Sequence, residues 1–92
     1  MKQVTIYSTP TCRGCYELKQ TLAESKVKFA IVDILEDTEA GRALVAKTGM
    51  MMVPQTQIID METGAEDFVF GNNPKMVLEL ITNKVLDITT KV

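Results

Sequence analysis

Two cysteines separated by two residues, Cys12-Arg13-Gly14-Cys15, stand where a β-type run gives way to a helical one. That junction constrains the chain more than any other feature. Val4-Thr5-Ile6-Tyr7 is a compact β-branched and aromatic segment, closed by the turn-forming Ser8-Thr9-Pro10-Thr11. From Cys12 to about Glu24 the apolar residues Cys15, Leu18 and Leu22 recur at helical spacing, while Lys19, Gln20 and Glu24 fall off that stripe. Thr11 is then the expected N-cap, its hydroxyl satisfying an unpaired backbone N–H of the first turn. A dithiol at the start of a helix has what thiol–disulfide exchange needs. Two sulfurs lie within bonding reach, one accessible and acidic, the other one turn behind. The chain has no third cysteine and no histidine, so its chemistry is expected to run through these two thiols.

The remaining pattern predicts a small α/β domain. A second strand is expected at about Phe29 to Ile34. Glu36-Asp37-Thr38-Glu39 reads as the acidic, capped start of a second helix, which carries Leu44 and Val45 and stops at Gly49. Gln55 to Asp60 and Asp67 to Phe70 read as two strands joined by a short linker that contains Gly64, as in a hairpin. Asn73-Pro74 supplies an N-cap followed by proline at the first helical position, with Met76, Val77, Leu80 and Ile81 on the expected buried side. From about Asn83 to Val92 the chain reads either as a continuation of that helix or as a loose tail. The order βαβ, α, ββ, α is satisfied most simply by a four-stranded mixed sheet with helices on both faces. Residues 1–92 are expected to form one domain, with a core from about 3 to 82 and an extension from about 83 to 92.

Composition excludes several functions. With 46% apolar and 24% charged residues the chain is ordinary for a soluble globular protein, and its net charge of −2 lacks the basic surplus of a nucleic-acid binder. No apolar stretch approaches the ~20 residues that span a membrane, and Met1-Lys2-Gln3 leads into a strand rather than an apolar signal region. A cytoplasmic location is therefore expected. In that reducing compartment a paired Cys motif is catalytic or metal-binding rather than structural.

Cys12 lies where unpaired N–H groups and the helix dipole favour a thiolate, and Arg13 adds a neighbouring positive charge. Lys19 sits further along the same helix. Cys12 is thus the expected nucleophile and Cys15, one turn deeper, the resolving thiol. Gly14 leaves little steric cover over the sulfurs. A structural zinc site would need four ligands, which only a dimer of such chains could assemble. Val53-Pro54 precedes the third strand. From the residues alone a trans bond is favoured, since only ~5–6% of X–Pro bonds in folded proteins are cis. Met50-Met51-Met52 reads as part core, part adaptable contact surface.

Together, Tyr7-Ser8-Thr9-Pro10-Thr11-Cys12-Arg13-Gly14-Cys15, Lys19, Val53-Pro54 and Gly71 resemble a glutaredoxin of the thioredoxin fold, over nearly the whole chain from Val4 to about Ile81. The resemblance implies a dithiol thiol–disulfide oxidoreductase, an electron carrier that reduces protein or glutathione mixed disulfides. No tightly bound cofactor is expected, and glutathione is a candidate co-substrate. The expected partners are disulfide-bearing proteins, with glutathione or thioredoxin reductase as electron source, and the expected state is a monomer. The resemblance reverses the reading of Pro54 to cis. It implies that the Val53 backbone pairs with the peptide-like part of a bound disulfide. Arg13, Gly14, Lys19, Met52, Val53, Pro54, Gly71, Asn72 and Asn73 are the residues expected to activate the thiol or contact substrate. The chain also departs from the family. It has Arg-Gly where Pro-Tyr is common between the cysteines, Thr9 or Pro10 where a lysine often precedes them, and Met52 where Thr precedes Val-Pro. Gly71-Asn72-Asn73-Pro74 replaces the Gly-Gly-x-Asp element that holds the γ-glutamyl end of glutathione. Gly71-x-x-Pro74 is closer to the NrdH-redoxin branch, whose members take electrons from thioredoxin reductase and reduce ribonucleotide reductase. A chain with the same Cys-x-x-Cys that senses redox state without turnover, or bridges zinc or an iron–sulfur cluster as a dimer, is the alternative.

Overall fold

The computed structural model describes residues 2–89, with side chains described for residues 2–81. The elements run β1 (Lys2–Ser8), α1 (Arg13–Glu24), β2 (Ala30–Asp33), α2 (Thr38–Thr48), β3 (Gln55–Asp60), β4 (Glu66–Phe70) and α3 (Pro74–Thr89). The strands form one sheet in the order β2-β1-β3-β4, with β1 and β2 parallel and the other pairs antiparallel. The expected four-stranded mixed sheet is therefore present. Parallel neighbours cannot be joined by a tight turn, and α1 supplies the connection between β1 and β2.

Alternation along β1 buries Val4, Ile6 and Ser8 on one face. Cross-strand partners share a face, so Thr56 beside Ile6, Ile58 beside Val4, and Val69 beside Thr56 continue it. Leu18 and Leu22 of α1 and Val77 of α3 close this core, with Val27, Phe29, Leu78, Leu80 and Ile81 packed at its margin. Tyr7, Gln55, Gln57 and Glu66 point to the other face, which α2 covers. There Lys47 of α2 donates to Glu66 Oε2 at 2.8 Å, Gln57 Nε2 donates to the same oxygen at 2.8 Å, and Tyr7 donates to Gln57 Oε1 at 3.3 Å. Helices thus lie on both faces of the sheet.

The predicted bounds of β3 and of α2 hold, the latter from its Asp37 N-cap to a left-handed C-cap at Gly49, φ 78°. Three expectations need correction. The N-cap of α1 is Cys12, not Thr11, because the extended backbone (φ −86°, ψ 112°) lies at the cysteine. Met76 is 42% exposed, and Leu78 rather than Met76 packs against the core. β1 extends beyond Val4–Tyr7 to Lys2 and Ser8, since both ends pair with neighbouring strands, Lys2 with Asp60 and Ser8 with Asp33. α3 is capped at Asn73, whose Oδ1 accepts from Met76 N at 3.2 Å, and the helix continues through Thr89. The tail reading for Thr90, Lys91 and Val92 lies outside the described residues.

Candidate active site

β1 ends at Ser8 and the chain turns through Thr9-Pro10-Thr11, where Cys12 N donates to Thr9 O at 3.4 Å. The extended Cys12 then sets its side chain over the first turn of α1, and its Sγ accepts from Cys15 N at 3.1 Å. A sulfur therefore takes the acceptor position that a serine or aspartate oxygen holds at most helix starts. Unpaired N–H groups of the first turn and the helix dipole meet at that atom, and both favour negative charge there. Cys12 and Cys15 are joined as a disulfide, with Cα atoms 5.2 Å apart. Cys12 is half-buried, whereas Cys15 is only 1% exposed. This asymmetry separates the two sulfurs chemically: an external partner reaches the first, and the second is reached through it.

Two other segments complete the surroundings. The Val53–Pro54 bond is cis and Pro54 is buried. Gly71 follows β4 with φ 81°, a left-handed conformation that glycine adopts without penalty, and its N–H donates to Pro54 O at 2.8 Å. Gly14 faces both segments. A Cβ placed on it would lie 3.7 Å from Pro54 Cδ and 3.7 Å from Asn72 Cβ, ordinary contact distances. Gln55, fully buried, donates from Nε2 to Met50 O at 2.9 Å and to Met52 O at 3.0 Å, which fixes the approach to Pro54. Met50, Met51 and Met52 themselves are exposed, by 45%, 57% and 38%.

Cys12, Gly14, Cys15, Pro54, Gly71 and Asn72 are thus brought together, and Met52 and Val53 adjoin them in the chain. The other expected residues are placed differently. Arg13 points outward, and its Nε donates to Glu17 Oε2 at 3.3 Å. Asn73 is engaged as the cap of α3. Lys19 lies on the opposite flank of α1 from Gly14, in an open groove of about 300 Å³ with Tyr16, Gln20, Ala23, Phe29 and Ile31. A second cleft, about 450 Å³, is lined by Lys2–Val4, Lys28–Ala30 and Met61, at the other end of β1 from the cysteines. Two residues absent from the sequence reading belong to the surroundings of the site. Glu17 bonds Arg13 and also accepts from Asn72 Nδ2 at 3.2 Å, and Gln55 holds the methionine loop. The Arg13–Glu17 spacing of four was the available signal for the first. No local pattern marks the second. Among the described residues no group of three or more His, Cys, Asp or Glu is placed to hold a metal ion, and no helix is long and apolar enough to cross a membrane.

Comparison with known proteins agrees with this arrangement. Over 89% of its length the chain superposes on 88% of a glutaredoxin from Archaeoglobus fulgidus, with a TM-score of 0.69 and 23% identity. The NrdH-redoxin of Escherichia coli, described as glutaredoxin-like with a thioredoxin-like activity profile, aligns over 85% of this chain and 93% of its own (TM-score 0.69, 24% identity). A thioredoxin from Fasciola hepatica aligns over 89% of this chain and 79% of its own (TM-score 0.66, 27% identity). These likenesses show the thioredoxin-like fold. The Gene 56 protein of Mycobacterium phage D29 is 38% identical over 37 residues, which is 40% of this chain and only 41% of that protein's length. The family profile of glutaredoxins matches residues 4–61, a stretch that holds both cysteines and the cis-proline turn. With more than half of its residues in that match, and a dithiol at the start of α1, the chain belongs to the glutaredoxin family, whose chemistry is thiol–disulfide exchange.

Proposed function

We propose that the protein is a dithiol electron carrier that reduces disulfides in other proteins and is itself reduced by thioredoxin reductase rather than by glutathione. The observation that carries the dithiol mechanism is the unequal exposure of the two sulfurs, Cys12 half-buried as the helix cap and Cys15 1% exposed behind it. In the reduced protein the Cys12 thiolate attacks one sulfur of a substrate disulfide. A Cys12–substrate bond forms and the other substrate sulfur leaves as a thiolate, which takes up a proton. Cys15 then gives up its proton and attacks Cys12 Sγ. The Cys12–Cys15 bond forms and the second substrate sulfur leaves as a thiol. Two electrons have passed from the protein to the substrate, and a reductase returns them. The Val53 backbone, beside the sulfurs, pairs with the extended chain of the substrate.

The choice of reductase rests on the turn at Gly71. Glutaredoxins that use glutathione hold its γ-glutamyl end with an acidic residue in this turn, whereas here Asn72 is bonded to Glu17 and Asn73 caps α3. The thioredoxin-like activity profile described for the Escherichia coli NrdH-redoxin supports the same reading. The protein is proposed to act as a cytoplasmic monomer with no tightly bound cofactor.

The test is NADPH consumption during reduction of a small disulfide, run in parallel with thioredoxin reductase and with glutathione plus glutathione reductase. Cys12→Ser is the blank, and Cys15→Ser should accumulate a mixed disulfide detectable by mass. Turnover with thioredoxin reductase alone is expected. Turnover with glutathione would reassign the donor, and a protein idle with both would be a redox sensor rather than an enzyme.

A further inference from the structure

Three charged or polar groups, two from the first turns of α1 and one from the turn after β4, meet near the start of the helix. Arg13 Nε donates to Glu17 Oε2 at 3.3 Å, and Asn72 Nδ2 donates to Glu17 Oε1 at 3.2 Å. Both oxygens of one carboxylate are therefore occupied, one by the residue next to Cys12 and the other by the turn after β4. The segments that border Cys12, residues 9–11, 52–54 and 71–73, contain no charged side chain. Lys19 lies two turns along α1 from Cys12, in the groove with Tyr16 and Gln20. Arg13 and Glu17 are consequently the charges that an approaching disulfide meets at the start of the helix. They form an ion pair, and the Arg13 side chain is 90% exposed, so nothing but Glu17 holds it in place among the described contacts.

We propose that Glu17 is a positioning residue for the reaction: its carboxylate draws the Arg13 guanidinium away from Cys12 and fixes Asn72 against α1, which keeps the mouth of the site electrically neutral. The inference rests on the dithiol reading above, since it concerns the reactivity of Cys12. It has two consequences. A free guanidinium beside Cys12 would favour the thiolate, so pairing it with Glu17 leaves acidification of the thiol to the helix start. A free guanidinium would also attract anionic disulfides, so the pair removes a preference for substrate charge. Protein disulfides, whose flanking residues carry either sign, suit such a site better than a small anionic thiol compound.

Glu17→Gln removes the charge and keeps the shape of an exposed side chain, so folding is not at stake. Two readouts on the reduced protein separate a charge effect from a structural one. The first is the pH profile of Cys12 alkylation by iodoacetamide. The second is the single-turnover rate with two small disulfides of opposite charge, cystamine (a dication) and dithiodipropionate (a dianion). Relative to wild type, Glu17→Gln should shift the alkylation profile to lower pH. It should raise the dianion-to-dication rate ratio about threefold at low ionic strength, an effect that fades near 0.5 M salt as screening shortens to roughly 4 Å. Arg13→Gln alone should move both readouts the opposite way, and the double variant, neutral again, should lie near wild type. Profiles and ratios identical to wild type, a change insensitive to salt, or an Arg13→Gln variant that moves the readouts in the same direction as Glu17→Gln would each overturn the proposal. The alkylation arm reads Cys12 directly. It therefore decides the role of Glu17 even if the protein reduces neither disulfide, an outcome that would count instead against the proposed function.

Discussion

Two neighbouring polar side chains of β3, Gln55 and Thr56, are fully buried. Thr56 is fully buried on the core face and its Oγ1 has no hydrogen-bond partner among the described residues. A hydroxyl deprived of water and left unpaired costs about 1–3 kcal/mol. Thr56→Val has the same shape without that oxygen, and it should raise stability by about 1 kcal/mol in urea or thermal unfolding. A variant no more stable than wild type would show that the hydroxyl is satisfied in solution. Gln55, its neighbour in β3, is satisfied in part: Nε2 donates to Met50 O and Met52 O, while its buried Oε1 has no partner among the described residues. Neither role is readable from spacing, because alternation along β3 marks the face a residue takes and not whether its polar atoms find partners there. The cysteines were legible since chemistry demands them as a pair. Thr11 was misread as the cap because residue preference ranks a hydroxyl above a thiol, whereas backbone geometry placed the cap one residue later. Pro54 divides the two sources of inference: the residues alone favoured trans, and only the family pattern pointed to the cis bond that is present.

Between elements, α2 is tied to the sheet by an ion pair at its C-terminal end. The hydrogen bond from Lys47, followed by its charge, holds the Glu66 carboxyl below its ordinary value of 4.5, and the same bond holds Lys47 above 10.5. For Glu66 the folded value is the lower one, so its contribution to stability is present above 4.5 and is lost as pH falls through the depressed value. For Lys47 the folded value is the higher one. Its contribution is present below 10.5 and is lost as pH rises through the raised value. Glu66→Gln keeps the shape and the bond from Gln57 while removing the charge. Its melting temperature should lie below wild type at pH 7, and the gap should close toward pH 3. A gap independent of pH would mean that the ion pair contributes nothing. The two elements were themselves visible in sequence, since Asp37 and Gly49 bracket α2 with a cap at each end. Their mutual contact was not, because positions 47 and 66 share no local pattern.

For the molecule as a whole, stability rests on the face of the sheet that α1 and α3 cover. Leu22 is fully buried there, and Leu22→Ala should cost about 2–5 kcal/mol, a large fraction of the roughly 5–15 kcal/mol that holds a small domain folded. The expected result is a single unfolding transition at lower denaturant, with Cys12 alkylation in the folded protein unchanged. Two separated transitions would show that the chain does not fold as one unit. Fold class was legible at this scale because strands and helices alternate with distinct periods, while sheet order required knowing which strands pair. That order has a practical consequence. The ends of β1, β3 and β4 that carry Cys12, Pro54 and Gly71 all lie at one pole, and the β3–β4 turn around Gly64 lies at the other. A dye, an affinity handle or an electrode linker attached at that exposed turn would leave the sulfurs facing outward. The protein can thus be immobilised in a single orientation, with every molecule presenting its dithiol to solution.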